Sequence, residues 1–403
     1  MQTLPQIDPV ATAIAKLAER LSCVDVEQCL TERASGRVLA EPIIADRDSP
    51  PIDVSAMDGY AIRLADLSQS QPHGVAMRIA AVAAAGAAPP GLPPHEAVQI
   101  FTGAAVPTEA DCVVRREDTI EAVHEVKFVV LADSLRVGQN IRRRGENIQA
   151  GQIVLARGTV LSAPVMGAIA TFAPMQLLVQ RRVRVVVLNT GDELAGIGQA
   201  VEAWQIRDSN GPLLETWLRQ LPWIELVGRR HVGDSLESVM SAIAEQLSLA
   251  DAILLTGGVS LGDTDFVPEA ITKLGGETVF HRLPIRPGKP VLGASLSGKL
   301  LLGLPGNPVS VAVTSRVIGL PLLRKLAGIS PMEEAQPRCL LSEADEKKLP
   351  LVWYRLVKVA QDSAVRLVDS QGSGDLVSLA QSDGFVEVPI GASGVGPWRV
   401  RWW

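Results

Sequence analysis

Three apolar runs between residues 183 and 303 each end in a glycine-containing loop. That repetition limits the possible folds more than any other feature. Residues 183–188 (VRVVVL) lead into Asn189-Thr190-Gly191-Asp192-Glu193-Leu194. Residues 252–255 (AILL) lead into Thr256-Gly257-Gly258-Val259-Ser260 and on to Asp263-Thr264-Asp265. Residues 300–303 lead into Leu304-Pro305-Gly306-Asn307-Pro308-Val309-Ser310. A run that is apolar almost throughout is the pattern of a parallel strand buried on both faces. Helical patterns lie between these runs. One starts near Asn210 and Pro212, with Leu213, Leu214, Trp217, Leu218 and Leu221 on its apolar side. Another follows Asp234-Ser235 and the strand-like run 224–231. A third spans 267–274, with Pro268 in its first turn, and an apolar helix is predicted over 308–326. Strand–helix alternation of this kind predicts an open α/β sheet over residues 180–330.

The flanking segments have other patterns. Residues 8–21 carry Val10, Ile14, Leu17 and Leu21 at helical spacing, with Asp8 placed as the cap. From 44 to 144, short β-branched runs are broken by Gly and Pro clusters, which predicts an all-β insert. Residues 145–179 are mixed, with a helix predicted over 164–172. From 338 onward only short strand-like runs remain, which predicts a small barrel or sandwich. The expected architecture is therefore multidomain α/β plus β. Residues 1–43 with 145–179 form an N-terminal helical or extended domain. Residues 44–144 form the β-rich insert, 180–330 the central open α/β sheet domain, and 331–403 a small β-barrel-like domain.

Composition removes several classes of function. With 38 Lys plus Arg against 44 Asp plus Glu, the formal charge is −6, so a general surface for duplex nucleic acid is not expected. The start, MQTLPQIDPV, lacks a basic segment followed by an apolar one, and the longest small-apolar run (79–88) is too short to span a bilayer. Cys23, Cys29, Cys112 and Cys339 show no zinc spacing and are expected as buried thiols in a cytoplasmic protein. The five histidines likewise form no metal motif.

Ligands of open α/β sheets bind beyond the carboxyl ends of the strands, which is where the glycine loops fall. Such loops turn backbone N–H groups toward an anion, and the Thr256–Ser260 segment suits a phosphate or an oxyanion. Asp192, Glu193, Asp263 and Asp265 are hard oxygen donors suited to Mg2+. Arg282, Arg286 and Lys289 lie in one proline-rich turn without an acid, and Arg286 and Lys289 can face one anion. Each feature alone also has an ordinary structural explanation: a turn, a helix start, an exposed kink. Their coincidence at strand ends makes a binding site. Elsewhere, Asp58-Gly59 reads equally as a hairpin turn, and the Arg142-Arg143-Arg144 run as a solvated face.

Taken together, SAMDGYAIR (55–63), IFTGAAVP (100–107), IRRRGENIQAG (141–151), VVVLNTGDEL (185–194), IRDSN (206–210), LLTGGVSLGDTDF (254–266), IRPGKP (285–290) and GLPGNPVS (303–310) resemble the molybdopterin molybdenumtransferase family. These are the molybdate-inserting enzymes related to the gephyrin E domain. The resemblance implies a central domain of the molybdopterin-binding type and an elongated homodimer with its site between subunits. It implies that adenylylated molybdopterin receives molybdate and releases AMP, with Mg2+ or another divalent cation required. It also implies encounters with the upstream adenylyltransferase and with recipient molybdoenzymes.

On that reading Asp58, Thr102, Glu193 and Asp265 are catalytic, and Asp192, Glu193, Asp263 and Asp265 hold metal. Thr256, Gly257, Gly258, Ser260, Asp234, Arg282, Arg286, Lys289, Pro305, Ser310, Arg142 and Asn147 bind the pterin substrate or its anions. Arg355 and Ser373 face the oxyanion. Three departures stand out. Asn147 replaces a usual Asp, Arg282 and Arg286 replace usual lysines, and Asn189 stands where a small hydroxyl residue is common. Asn147 motivates an alternative, a catalytically impaired molybdopterin-binding chaperone or scaffold. A third possibility is an enzyme acting on another nucleotide or sugar phosphate.

Overall fold

The computed structural model describes residues 8–68, 75–130, 132–172, 174–260, 262, 265–343 and 346–403. They form two compact units. The larger comprises the described residues of 1–41, 157–166 and 175–403, and the smaller those of 42–156 and 167–174.

The larger unit is built on a six-stranded sheet. Its strands are β1 (Val183–Thr190), β2 (Ile224–Val232), β3 (Ala252–Thr256), β4 (Glu277–His281), β5 (Leu292–Leu296) and β6 (Lys299–Leu304), in the order β2-β1-β3-β6-β5-β4. The β1, β2, β3 and β6 strands are parallel neighbours, as the apolar runs predict. Alternate residues of β1 supply two cores. Val183, Val185 and Val187 pack with Leu254, Leu302, Leu214 and Leu218 on one face. Val186 and Leu188 pack with Ile253, Leu301, Val239 and Ile243 on the other. That division is the two-residue period of a strand with helices on both sides. The helices are α1 (Asn210–Arg219), α2 (Leu236–Leu247), α3 (Val267–Lys273) and α4 (Pro308–Thr314); α4 continues through a π turn at 315–319 into α5 (Leu320–Leu326). The N-terminal helix Pro9–Ala18 buries Val10, Ile14 and Leu17 in the first core, and the Asp8 carboxylate accepts from the Val10 and Ala11 N–H groups.

The sheet is mixed, which the sequence reading did not anticipate. The β4 and β5 strands are antiparallel additions at one edge. The β5–β6 hairpin closes at Ser297-Gly298, whose φ values of 53° and 75° are both positive, as a two-residue I′ turn requires.

Register decides where a ligand can sit. Thr190 pairs with Val232, Asn189 with Thr256, and Thr256 with Leu304. The carboxyl ends of four strands therefore lie along one edge. From β1 the chain moves to β2 on one side and returns to β3 on the other, so a topological switch point falls between β1 and β3.

The C-terminal strands Arg338–Cys339, Val352–Val359, Val365–Leu367, Gly384–Val388 and Trp398–Trp402 join one further sheet, together with the two-residue strand Ile285–Arg286. A bridge between Leu341 and Val365 carries the pairing round toward closure. This region also holds a short helix, Leu376–Ala380, capped by the Asp375 carboxylate, where only strands were expected.

The smaller unit contains a six-stranded sheet of Gly59–Ile62, Ala76–Ala83, Glu96–Ile100, Cys112–Arg115, Thr119–Glu121 and Glu125–Phe128. It is not wholly β, because Leu64–Ser68 is helical. Tyr60 and Phe128 meet edge to face in its core, with ring centroids 6.2 Å apart. Asp58-Gly59 is not a hairpin turn: Gly59 opens a strand that pairs with Glu96–Ile100 and Cys112–Arg115. Glycine is needed there for another reason. A Cβ on Gly59 would lie 2.0 Å from the Val114 carbonyl oxygen.

All four cysteines are free thiols, but only Cys112 is buried, and burial raises its pKa to about 11. Cys23 is exposed, and Cys29 and Cys339 are half-buried, which corrects the expectation of four buried thiols. Among the described residues, no helix is long and apolar enough to cross a membrane.

Gly59→Ala is expected to destabilise the smaller unit by about 3 kcal/mol through overpacking against a backbone that cannot retreat. A lower unfolding midpoint, with faster hydrogen exchange in strands 59–62 and 112–115, checks this.

Candidate functional site

The loop after β3 is held in a conformation that requires glycine. Gly257 and Gly258 have φ of 84° and 62°. A Cβ at Gly257 would lie 2.7 Å from the Thr190 carbonyl oxygen, and one at Gly258 3.1 Å from Thr190 Oγ1. The loop is pinned to its neighbours by polar contacts. Asn189 Nδ2 donates to Thr256 Oγ1 at 2.8 Å, and the Thr190 hydroxyl donates to the Thr256 carbonyl at 3.3 Å. The Gly257 N–H donates to the Leu304 carbonyl at 3.3 Å. His281 Nε2 lies 2.7 Å from the Val259 carbonyl oxygen. Gly303 is glycine because a Cβ would come 2.6 Å from Val259 Cγ1.

Next to these loops is a cleft of about 610 Å3. Arg286, Lys289, Pro305, Ser310, Arg355 and Ser373 all line it. Residues separated by as many as 87 positions thus share one cavity, and each was singled out from sequence. Their placement has identifiable causes. The Val309 N–H donates to the Ser373 carbonyl at 3.0 Å, and Asn307 Nδ2 donates to Ser373 Oγ at 3.0 Å, which ties the start of α4 to the C-terminal sheet. Ile285–Arg286 pairs in parallel with Val352–Trp353, which brings the cation turn beside the same sheet. Burial pushes the Arg355 guanidinium pKa down, Asp369 opposes that, and Arg286 adds to it. Three cations therefore face a cleft in which Asp369 is the lining carboxylate. Asn307, Trp353 and Asp369 were not among the predicted residues, although the alternation of WYRLVKV does put Trp353 and Arg355 on one strand face.

The other strand-end residues lie outside this lining. Thr256 is buried, Gly257 and Gly258 are half-buried, and Ser260 is exposed. Arg282 is exposed at the end of β4, with φ of 68°. Asp192 and Asp234 clasp each other's loops. The Asp192 N–H donates to Asp234 Oδ2 at 3.0 Å, and the Asp234 N–H to Asp192 Oδ1 at 3.2 Å. Gly191 has φ of 140°, and its missing Cβ makes room for the Glu193 carboxylate, whose Oε2 would lie 2.7 Å from it. Asp265 Oδ2 accepts from the Gly262 N–H at 2.7 Å. Asp263 lies outside the described residues. Among the described residues, no three His, Cys, Asp or Glu side chains converge as a metal cluster.

The chain has relatives along almost its whole length. The description "MoeA N-terminal region (domain I and II)" matches residues 8–173, and "Probable molybdopterin binding domain" matches residues 186–325. A Staphylococcus aureus protein named molybdopterin molybdenumtransferase is 30% identical over 391 residues, covering 96% of this chain and 92% of its own. The chain belongs to the molybdopterin molybdenumtransferase family. A family member from Nostoc sp. is 32% identical over 408 residues, covering 96% of this chain and 91% of its own. A solved molybdopterin biosynthesis MoeA protein from Pyrococcus horikoshii is 26% identical, with a TM-score of 0.74 over 98% of this chain and 99% of that one. Another solved structure of a MoeA protein from that organism is 24% identical and shares the fold, with a TM-score of 0.80.

The smaller unit holds the remaining residues that the family resemblance singled out. Asp58 Oδ1 accepts from both the N–H and the hydroxyl of Thr102, each at 2.7 Å. Those two bonds, the hydroxyl first, hold the Asp58 carboxyl below the usual range; desolvation opposes them and Arg116 assists. Arg142 donates to Asn147 Oδ1 at 2.7 Å and to Glu146 Oε1 at 2.9 Å, and Asn147 Nδ2 donates to Ser49 Oγ at 3.2 Å. Arg143 pairs with Asp53, and Arg144 with Asp48. The arginine run is a row of ion pairs, so its three charges are largely answered within the unit.

Removing the Thr102 hydroxyl tests the Asp58 assignment. Because the folded carboxyl titrates below its unfolded value of about 3.9, its contribution is present above that value and is lost as pH falls. Thr102→Val is expected to move the Asp58 pKa upward toward about 3.9, read by NMR titration of the side-chain carboxyl. An unmoved pKa would reject the bond as its cause.

Proposed function

We propose that this protein inserts molybdate into adenylylated molybdopterin, releasing AMP and forming molybdenum cofactor. The observation that carries this reading is the single cleft lined by Arg286, Lys289, Ser310, Arg355 and Ser373 at the strand ends of the molybdopterin-binding domain. Molybdate is a tetrahedral dianion. Such a group calls for fixed cations and hydroxyl donors in a partly desolvated cleft, where charge interactions are stronger than in water. The relatives' name favours the transferase over a non-catalytic chaperone or scaffold.

In this reading Arg286, Lys289 and Arg355 neutralise the oxyanion, while Ser310 and Ser373 orient it. Pro305 lines the cleft beside them. The loop Thr256-Gly257-Gly258 with Ser260, together with Asp234 and Arg282, receives the pterin phosphates. Asp192, Glu193 and Asp265, with Asp263 of the same sequence motif, offer the hard carboxylate oxygens that Mg2+ takes. When bound, the cation would offset charge developing on the pyrophosphate. Asp58 and Thr102 act on the reacting end of the substrate, held there by the partner subunit of a homodimer, with Arg142 and Asn147 beside them. The reading includes four domains with the boundaries given above, a cytoplasmic location, and transient contact with the upstream adenylyltransferase and recipient molybdoenzymes.

Purified protein given adenylylated molybdopterin, molybdate and Mg2+ is expected to release AMP in step with cofactor formation. Lys289→Ala should slow this about 100-fold, the scale of losing one fixed electrostatic partner. Asp58→Ala and Asp265→Ala should abolish turnover while leaving the protein folded. Tight pterin binding without AMP release would overturn the enzymatic reading.

A further inference from the structure

Trp353 lies among the cations of the cleft and belongs to none of the motifs. It sits on the strand Val352–Val359, where Val352, Tyr354 and Leu356 are buried, while Trp353 and Arg355 are half-buried on the opposite face. The Arg355 Cζ is 4.3 Å from the centroid of the Trp353 ring, and the Arg286 Cζ is 5.7 Å away. Lys347 Nζ also lies 5.7 Å from it. Two different backbone relations produce this arrangement. Arg355 is two residues along the same strand, and so on the same face. Arg286 is the residue paired with Trp353 across the parallel ladder. Trp353 also packs against the apolar cluster of Val357, Val386, Val388 and Val400.

Two guanidinium groups lining one cleft repel each other, and partial burial strengthens that repulsion. A carboxylate relieves such repulsion, and Asp369 in the cleft does so in part for Arg355, but it also offsets positive charge. An aromatic face attracts each cation through its quadrupole. The attraction reaches each guanidinium at the distances seen here and adds no countercharge. We infer that Trp353 is a positioning residue for oxyanion binding, its ring holding the Arg286 and Arg355 guanidinium groups together in the cleft as a pair. This inference rests on the reading that the cleft takes molybdate.

The test is the KM for molybdate in the AMP-release assay of the full-length protein. Trp353→Leu is expected to raise that KM about tenfold, with kcat within about twofold, because what is lost is uniform anion binding. Trp353→Met, of similar bulk without a ring, should match it and serves if the leucine variant does not fold. Trp353→Phe keeps a ring face and should raise KM no more than about threefold. Arg355→Lys should raise KM less in the Trp353→Leu background than in the wild type, since the two changes remove one shared interaction. An unchanged KM in both ringless variants, or a phenylalanine variant as poor as they are, would overturn the inference. A wild-type protein that releases no AMP on addition of molybdate would instead contradict the functional reading, and this inference would fall with it.

Discussion

The ends of β1, β3 and β6 stop at the same level of the sheet, and the three following loops must leave through one small area. Asn189 pairs with Thr256 and Thr256 with Leu304, so no loop can be displaced along the strands without breaking the ladder. Crowding then dictates residue type. A side chain at Gly257 or Gly303 would strike Thr190 or Val259. The same crowding brings the start of α4 close enough for the C-terminal sheet to dock on it through Ser373 and Asn307. The parallel pairing of Ile285–Arg286 with Val352–Trp353 supplies the second attachment. The cleft is what remains between these two attachments, and its charge comes from residues that register and docking force together.

How much of this was legible in the chain depends on burial. The β1, β3 and β6 strands are covered on both faces, so each is a continuous apolar run that identifies itself. The β4 strand, ETVFH, lies at the sheet edge, where solvent accepts polar side chains, and it lacks such a run. Its partner β5 (LGASL) is short, and the hairpin that joins it to β6 turns on Ser297-Gly298, which no motif marks. The helix over 308–326 was read as one regular helix, yet a π turn interrupts it at 315–319, which no periodicity reveals. Asp58-Gly59 shows the limit of dipeptide rules. Its glycine serves a close approach to Val114, a long-range contact, and not the local turn that the pair usually marks.

The site divides in the same way. Arg286, Lys289, Pro305 and Ser310 lie in short motifs where cations, prolines and glycines are concentrated, so local sequence carries the signal. Trp353 had no such signal, because its role depends on pairing with a segment more than 60 residues earlier. Asn189 gains meaning only in three dimensions. It is almost fully buried, and its amide nitrogen reaches Thr256 Oγ1 at 2.8 Å and Asp208 Oδ1 at 3.3 Å. Asp192 was read as a Mg2+ ligand and Asp234 as a substrate contact; what sequence alone did not show is that each carboxylate accepts from the other's backbone N–H.

On the proposed reading, the oxyanion binds in the cleft between the α/β strand ends and the C-terminal sheet. Anomalous diffraction at the molybdenum absorption edge, from crystals equilibrated with molybdate, tests it directly. One dominant peak is expected in contact with Arg286, Lys289, Ser310, Arg355 or Ser373. A dominant peak elsewhere on the chain, with that cleft empty at saturating molybdate, would contradict it.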